Sequence, residues 1–398
     1  MNIKNRIHVT TTMARIGAYL GAELITGVGS PTRSGGVPKS ADHITKPWLT
    51  AVLCNATPGA EVIDIDLARD SSGSTTHRAV TVTFNDVGVA AKLPTRLFTK
   101  STPSFHTRLL NGLSGALFCE AAFYEHVRPR IDIESPVGYH LAINPRSYRS
   151  MFLLEDIAVT RGARFGGPTT LTVTEAMART QMDLLASFHA EYWNSPRLAT
   201  ELGMLRTTYK WMDDANKAID FEGRSLGAGV NRALGVLPEA LLAERNRLWP
   251  AYMSALEINV RDAVTLQHQD LHLGNWYVTE DDRMGLFDWQ CMAIGGWAKD
   301  VAYTIAASLT VEDRRALERD LVAHYVESLH RKGIASLGVD EAWLAYRQQT
   351  LHALFFWLYT IGYGPLQPKM QPDDVCLANI ERLAQAVVDL DSLGAIAS

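Results

Sequence analysis

Two kinds of hydrophobic periodicity divide this chain. Near the amino-terminal half, EVIDIDLA and RAVTVTF alternate apolar and polar residues with the period of two that marks half-buried strands. A small-residue turn, RDSSGSTTH, lies between them, and after a short NDVG turn the run VAAKLP reads as a third strand carrying Lys92. GALFCEAAFYEHV has helical spacing, and GYHLAI and SMFLLEDI read as two further strands, the second ending in Glu155 and Asp156. Beyond Ile157 the period changes to that of helices. TVTEAMARTQMDLLASFHAEYW is a long amphipathic helix with Thr174 or Thr172 as its cap and Glu175 in the first turn. Helical runs continue to the carboxy terminus with no internal repeat, interrupted by QHQDLHLGNWYVTEDDRMGLFDWQ. The pattern predicts an α+β chain: residues 1–157 hold an extension and a small antiparallel-sheet lobe with one main helix, and residues 158–398 a larger, mainly helical lobe.

That interruption carries the candidate chemistry. Asp270, Asn275 and Asp288 follow one another on one short piece of backbone. Phosphoryl transfer from ATP needs a carboxylate to accept the proton of the attacking hydroxyl, then an amide oxygen and a second carboxylate to hold Mg²⁺ on the phosphates. Mg²⁺ prefers oxygen ligands and keeps several waters, so one Asp and one Asn beside phosphate oxygens suffice. Asp270 is predicted on a loop after the helical run EINVRDAVTL, and MGLFDW as a short buried strand ending at Asp288. Asp and Asn also cap ordinary turns, but here both elements occur in the order the chemistry requires.

A phosphotransferase site needs a nucleotide-binding half upstream. VAAK has the form in which a strand lysine reaches the α and β phosphates and pairs with a helix glutamate. Lys92 is therefore the candidate lysine and Glu120 its partner, with Glu125 a surface alternative. Ser72 and Gly73 sit in the turn able to bring backbone amides near phosphates, although without a GxGxxG pattern the turn also reads as an ordinary hairpin. The strand end from Glu155 to Ile157 is a candidate hinge whose backbone would meet the adenine ring, the nucleotide lying in a cleft between the lobes.

These segments resemble the aminoglycoside phosphotransferase and choline kinase superfamily of small-molecule kinases, which has a protein-kinase-like two-lobed fold. The resemblance rests on VAAK (89–92), LFCEAAFYEHV (117–127), FLLEDI (152–157), LLASFHAEYW (184–193), HQDLHLGNW (268–276), LFDWQ (286–290) and DVAY (300–303), and spans most of the chain. Within the superfamily it is nearest to the ecdysteroid-kinase-like branch. It implies that Asp270 is the catalytic base, Asn275 and Asp288 the Mg²⁺ ligands, and Lys92 with Glu120 the phosphate-positioning pair. It also implies that His189 is a buried support of the catalytic loop. One departure is Gln269, where the family usually has glycine. Asp300, just before an apolar run, reads as a helix cap or a brace for that loop.

Composition narrows the partners. A net charge of −5 over 398 residues argues against nucleic acid. Cys54, Cys119, Cys291 and Cys376 are scattered, with neither metal-site nor disulfide spacing. No apolar run is long enough to span a membrane and no secretory signal opens the chain, so a cytoplasmic enzyme is expected. The acidic residues near the carboxy terminus are mixed with Lys, Arg and apolar positions, which does not suit a polycation trap. FFWLYTIGYG (355–364) with Trp193 and Trp211 supplies aromatic residues instead. The expectation is an ATP- and Mg²⁺-dependent kinase of a small-molecule hydroxyl, the acceptor a hydrophobic or amphipathic alcohol, sterol-like or hydroxyacyl. An aminoglycoside or choline acceptor, or a silent nucleotide-binding protein of the same fold, are the alternatives. Residues 1–45 would cover the active site, contact a second subunit or pack on the first lobe.

Overall fold

The computed structural model describes residues 3–26, 30–68, 71–72, 75–364 and 369–397. The chain divides into two compact units, one of residues 2–125 and 136–163, the other of 126–135 and 164–398. The segment 126–135 lies on the amino-terminal side of the boundary expected at Ile157, yet its contacts are with the helical unit.

The first unit is built on an antiparallel sheet. Strands β1 (Val62–Leu67), β2 (Ser71–Ser72), β3 (Thr76–Phe84), β4 (Arg96–Ser101), β5 (Gly138–Asn144) and β6 (Arg149–Glu155) are ordered β1-β3-β4-β6-β5, with β2 paired to β3. The alternation in β3 turns Val80, Val82 and Phe84 inward. They pack with Leu97, Met151 and Leu153 against Trp48, Leu49 and Val52 of α2 (Lys46–Leu53). Thr45 caps that helix, its hydroxyl accepting the Trp48 N–H at 3.2 Å.

The preceding helix, α1 (Ile3–Thr26), is tied to the same unit by buried charge. Glu23 accepts both guanidinium nitrogens of Arg108 at 2.8 Å and lies 3.2 Å from Arg149. The amino-terminal extension therefore packs on the sheet unit.

One expected strand is absent. NDVGVA instead forms a short helix, α3 (Asp86–Ala90), which takes in only Val89 and Ala90 of VAAKLP; a turn at Ala91 and Lys92 follows, and the chain reaches the sheet again only in β4. The reason is local: the Asn85 side chain accepts the Gly88 N–H at 3.1 Å, a helix cap that overrides the apolar run. The unit continues with α4 (Phe105–Ser114), α5 (Ala116–Ala122) and, after β6, α6 (Ile157–Thr160).

The second unit is mainly helical. It comprises α7 (Glu175–Glu191), α8 (Thr208–Ile219), α9 (Phe221–Arg224), α10 (Val230–Ala233), α11 (Glu239–Ala243) and α12 (Arg245–Asn259). After the small strands follow α13 (Ala298–Ser308), α14 (Val311–Arg331), α15 (Val339–Gln348), α16 (Leu351–Ile361), α17 (Asp373–Asp389) and α18 (Ser392–Ala397). Thr174 is the cap of α7, accepting the Met177 N–H at 3.3 Å. Two small sheets set the loops: β8 (Thr265–Gln267) pairs β11 (Ala293–Gly295), and β9 (Trp276–Val278) lies between β7 (Arg164–Phe165) and β10 (Met284–Leu286). Every residue of α13 is buried, Lys299 and Asp300 included. Among the described residues no helix is long and apolar enough to cross a membrane.

Candidate active site

A strand, not the helix expected there, leads into the loop of Asp270: β8 delivers the chain directly to His268. Both oxygens of Asp300 then grip the turn. Asp300 Oδ2 accepts the His268 N–H at 2.7 Å and Oδ1 the Gln269 N–H at 3.1 Å. Two consecutive amides aimed at one carboxylate demand a sharp turn, and Gln269 accordingly has φ 71°. Glycine adopts that conformation freely, whereas another residue pays about 1–2 kcal/mol. This accounts for the family's glycine and makes Gln269 a departure that needs compensation.

Asp300 is the loop brace the sequence suggested. His189, fully buried, lies 3.5 Å from Asp300 Oδ2 and shares its Nδ1 with the Tyr325 hydroxyl at 2.8 Å. Burial works most strongly against the Asp300 charge, but hydrogen bonding and charge from His189, with Lys299 and His268 nearby, hold its carboxyl below the usual range.

Asp270 is held on three sides. Asn275 Nδ2 donates to the Asp270 carbonyl at 2.8 Å and to its Oδ2 at 3.2 Å. The Tyr303 hydroxyl donates to Oδ1 at 3.4 Å, and His272 Nε2 is 3.7 Å from the same oxygen. The carboxylate keeps 20% of its surface open, enough to meet a ligand. Burial and then the Asp270 charge raise the Tyr303 hydroxyl well above its ordinary pKa, so it remains a proton donor to that carboxylate.

The third acid arrives through the backbone. Phe287 N–H donates to the Asn275 carbonyl at 3.1 Å, and His268 Nε2 donates to the Phe287 carbonyl at 3.1 Å. That leaves His268 Nδ1 to accept the Asp270 N–H at 3.3 Å. Asp288 follows at once, in the left-handed region with φ 65°. The strand expected to end at Asp288 stops at Leu286, and Asp288 follows the residue bonded to Asn275. With Asn275 Nδ2 committed to Asp270, its Oδ1 is the atom left to face a cation. One amide oxygen and one carboxylate fit Mg²⁺ held jointly with phosphate oxygens. Among the described residues no three His, Cys, Asp or Glu side chains form a metal cage of their own.

The lysine–glutamate pair expected in the first unit is formed by a different lysine. Lys92 lies in the turn after α3, exposed and with φ 54°, and does not meet Glu120. Lys100 of β4 does: its Nζ donates to Glu120 Oε1 of α5 at 2.7 Å, and the two side chains are 7% and 4% exposed. VAAK matched the motif in letters, but capping drew Val89 and Ala90 into a helix and left Lys92 in the turn after it. The signal for Lys100 was RLFTKS, a short run whose lysine lies on the next true strand. Ser72 is on β2, and Gly73 lies outside the described residues.

At the end of β6 the Glu155 carboxylate is consumed internally. It accepts Arg161 Nε at 2.8 Å, the Thr160 hydroxyl at 2.7 Å and the Val137 N–H at 3.1 Å. Burial opposes its charge most, yet those bonds and the Arg161 charge hold the carboxyl below its usual range. Ile157 is buried. Neither side chain is offered to a nucleotide, so any role of this segment falls to its main chain.

The aromatic run is mostly core. Phe355, Trp357 and Leu358 are buried, and Phe356 stacks on Trp211 at 5.5 Å while Tyr359 stacks on Phe221 at 4.4 Å. The Trp357 ring lies 5.3 Å from that of His272, two residues after Asp270.

A small antiparallel sheet unit followed by a helical unit with this loop defines the protein-kinase-like class of phosphotransferases. The chain belongs to the phosphotransferase enzyme family, whose model matches residues 108–335, more than half of its length. It is a small-molecule phosphotransferase with a hydroxyl group as acceptor. A search of curated proteins returned no match. Among solved structures, a choline kinase from Cryptosporidium parvum Iowa II superposes with a TM-score of 0.52 at 13% identity, covering 86% of this chain and 95% of its own. A choline kinase from Streptococcus pneumoniae gives 0.45 at 11%, covering 86% and 98%. A microcompartment-associated aminopropanol kinase gives 0.49 at 14%, covering 82% and 92%. The first of these likenesses establishes the fold. None of them bears on the ecdysteroid-kinase-like branch.

Proposed function

We propose that this chain transfers the γ-phosphoryl group of ATP to a hydroxyl of a small molecule, with Mg²⁺ as the resident metal. The observation that carries the reading is the Asn275 hold on Asp270 together with the Phe287 and His268 hydrogen bonds, which bind the residue before Asp288 to the same loop. Asp270 accepts the acceptor's proton as its oxygen attacks phosphorus and ADP departs. Asn275 and Tyr303 aim the carboxylate. Asn275 Oδ1 and Asp288 would hold Mg²⁺, which when bound neutralises charge on the phosphates. In the first unit, Lys100 with Glu120 replaces Lys92 as the pair for the donor's phosphates.

The acceptor is a small hydroxyl compound. A sterol-like or hydroxyacyl alcohol loses support from the aromatic run, because most of that run packs internally. An ATP-consumption panel containing a sterol-like alcohol, a hydroxyacyl thioester, an aminoglycoside and choline identifies the class. Asp270→Asn is expected to stop transfer while leaving ATP binding intact. A wild-type protein that binds ATP yet passes phosphate to no acceptor and not to water would be a nucleotide-binding protein and no kinase.

A further inference from the structure

Gln269, the residue between His268 and Asp270, has every polar group held. Its N–H donates to Asp300 Oδ1 at 3.1 Å, and its carbonyl accepts His352 Nε2 at 3.1 Å. Its side-chain Nε2 donates to the Cys291 carbonyl at 2.7 Å. Its Oε1 accepts the Thr208 hydroxyl at 2.9 Å and the Lys299 amine, which also donates to Thr208. Gln269, Thr208, Lys299 and His352 are all buried.

Three elements thus close on one residue: α8 through Thr208, α16 through His352, and the first turn of α13 through two consecutive side chains. Asp300 holds the main chain of Gln269 and Lys299 its side chain. The far end of the Gln269 amide is fixed on Cys291, three residues after Asp288. The glutamine is therefore a strut between the loop of Asp270 and the segment that follows Asp288. A buried amine is a costly way to fill a helix core, and the Lys299 amine donates to two neutral oxygens, one of them on this strut.

We infer that Lys299 is a positioning residue of the phosphotransfer reaction: with Thr208 it pins the Gln269 amide and so keeps a non-glycine residue in the left-handed conformation that aims Asp270. The inference rests on Asp270 being the base. Lys299 and Gln269 form a matched pair, since glycine would adopt φ 71° unaided and give Lys299 nothing to hold.

The test is a double-mutant cycle on phosphate release from Mg·ATP with water as acceptor. Lys299→Met keeps the stem and removes the amine. With Gln269 present it is expected to lower kcat about tenfold or more, the scale of a misplaced catalytic group, with the KM for ATP within about twofold. In a Gln269→Gly background the same substitution is expected to change kcat by less than about twofold. A merely structural lysine would instead lower the denaturation midpoint in both backgrounds and leave kcat alone. Unchanged turnover in Lys299→Met, or an equal loss in both backgrounds, overturns the inference. If Asp270→Asn retains turnover, both readings fall and the error lies with Asp270; if it abolishes turnover while Lys299→Met does not, only the positioning role is lost. Thr208→Val serves the same cycle should Lys299→Met not fold. Amide hydrogen exchange at 268–270 requires no turnover: it is expected to quicken in either variant, and exchange equal to wild type counts against the strut.

Discussion

The two units build their candidate site residues in different ways. In the helical unit Asp270, Asn275 and Asp288 fall within one continuous stretch, joined by backbone hydrogen bonds of short sequence range. In the sheet unit Lys100 and Glu120 come from a strand and a helix and meet only when the sheet has formed. The buried lysines differ in the same sense. Lys100 is matched by a carboxylate, while the hydrogen bonds of Lys299 go to neutral oxygens, and burial pushes its amine down to about 7 against the opposing charge of Asp300. A contiguous cluster can be read as letters. A pair assembled from distant elements cannot.

The sharpest way to break the comparison is Asp270→Asn. Loss of the base should cost about a thousandfold in kcat, near 4 kcal/mol, with the ATP dissociation constant little changed. Steady-state kinetics beside nucleotide titration separates the two, and a variant retaining a tenth of wild-type turnover would refute the assignment.

Next is the long-range assembly of the sheet unit. Glu23→Ala leaves Arg108 buried without its carboxylate, and breaking such a pair should cost about 3 kcal/mol. Chemical denaturation measures it. A change below about 1 kcal/mol would show that α1 adds little to the unit.

Lys100→Met against Lys92→Met sharpens the correction. We expect kcat/KM for ATP to fall about a hundredfold in the first and to stay within about twofold in the second. The reverse order would restore the motif at 89–92.

The smallest effect is a pH dependence that tells the two lysines apart. The unfolded Lys299 protonates near the ordinary lysine value of 10.5 and the folded one at about 7, so between those values the unfolded state binds more protons. Stability should therefore rise with pH above about 7 by roughly 2 kcal/mol up to pH 9, with no further dependence from this group well below 7. Lys299→Met should flatten that rise, and denaturation curves at pH 7 and 9 for both proteins would show whether it does.

Much of the fold was legible because burial imposes periodicity. The strands over 62–67, 76–84, 138–144 and 149–155 and the long helix from Glu175 are visible in their apolar spacing. VAAK misled because its four residues fit either period, and the Asn85 cap, outside the motif, decided between them. Lys299 escaped notice for a related reason. In a helix buried on every face there is no polar side to which a lysine could be assigned, and its partner lies thirty residues earlier.

The sequence alone pointed to the reaction class, because Asp270, Asn275 and Asp288 are close along the chain and the roles proposed for them depend on residue type and order. Tertiary structure decided which lysine meets Glu120, that Glu155 spends its charge on Arg161, that the aromatic run is core, and how Gln269 is held where glycine is usual. Each of these depends on groups far apart in sequence, and only packing and the desolvation of buried polar atoms select such partners.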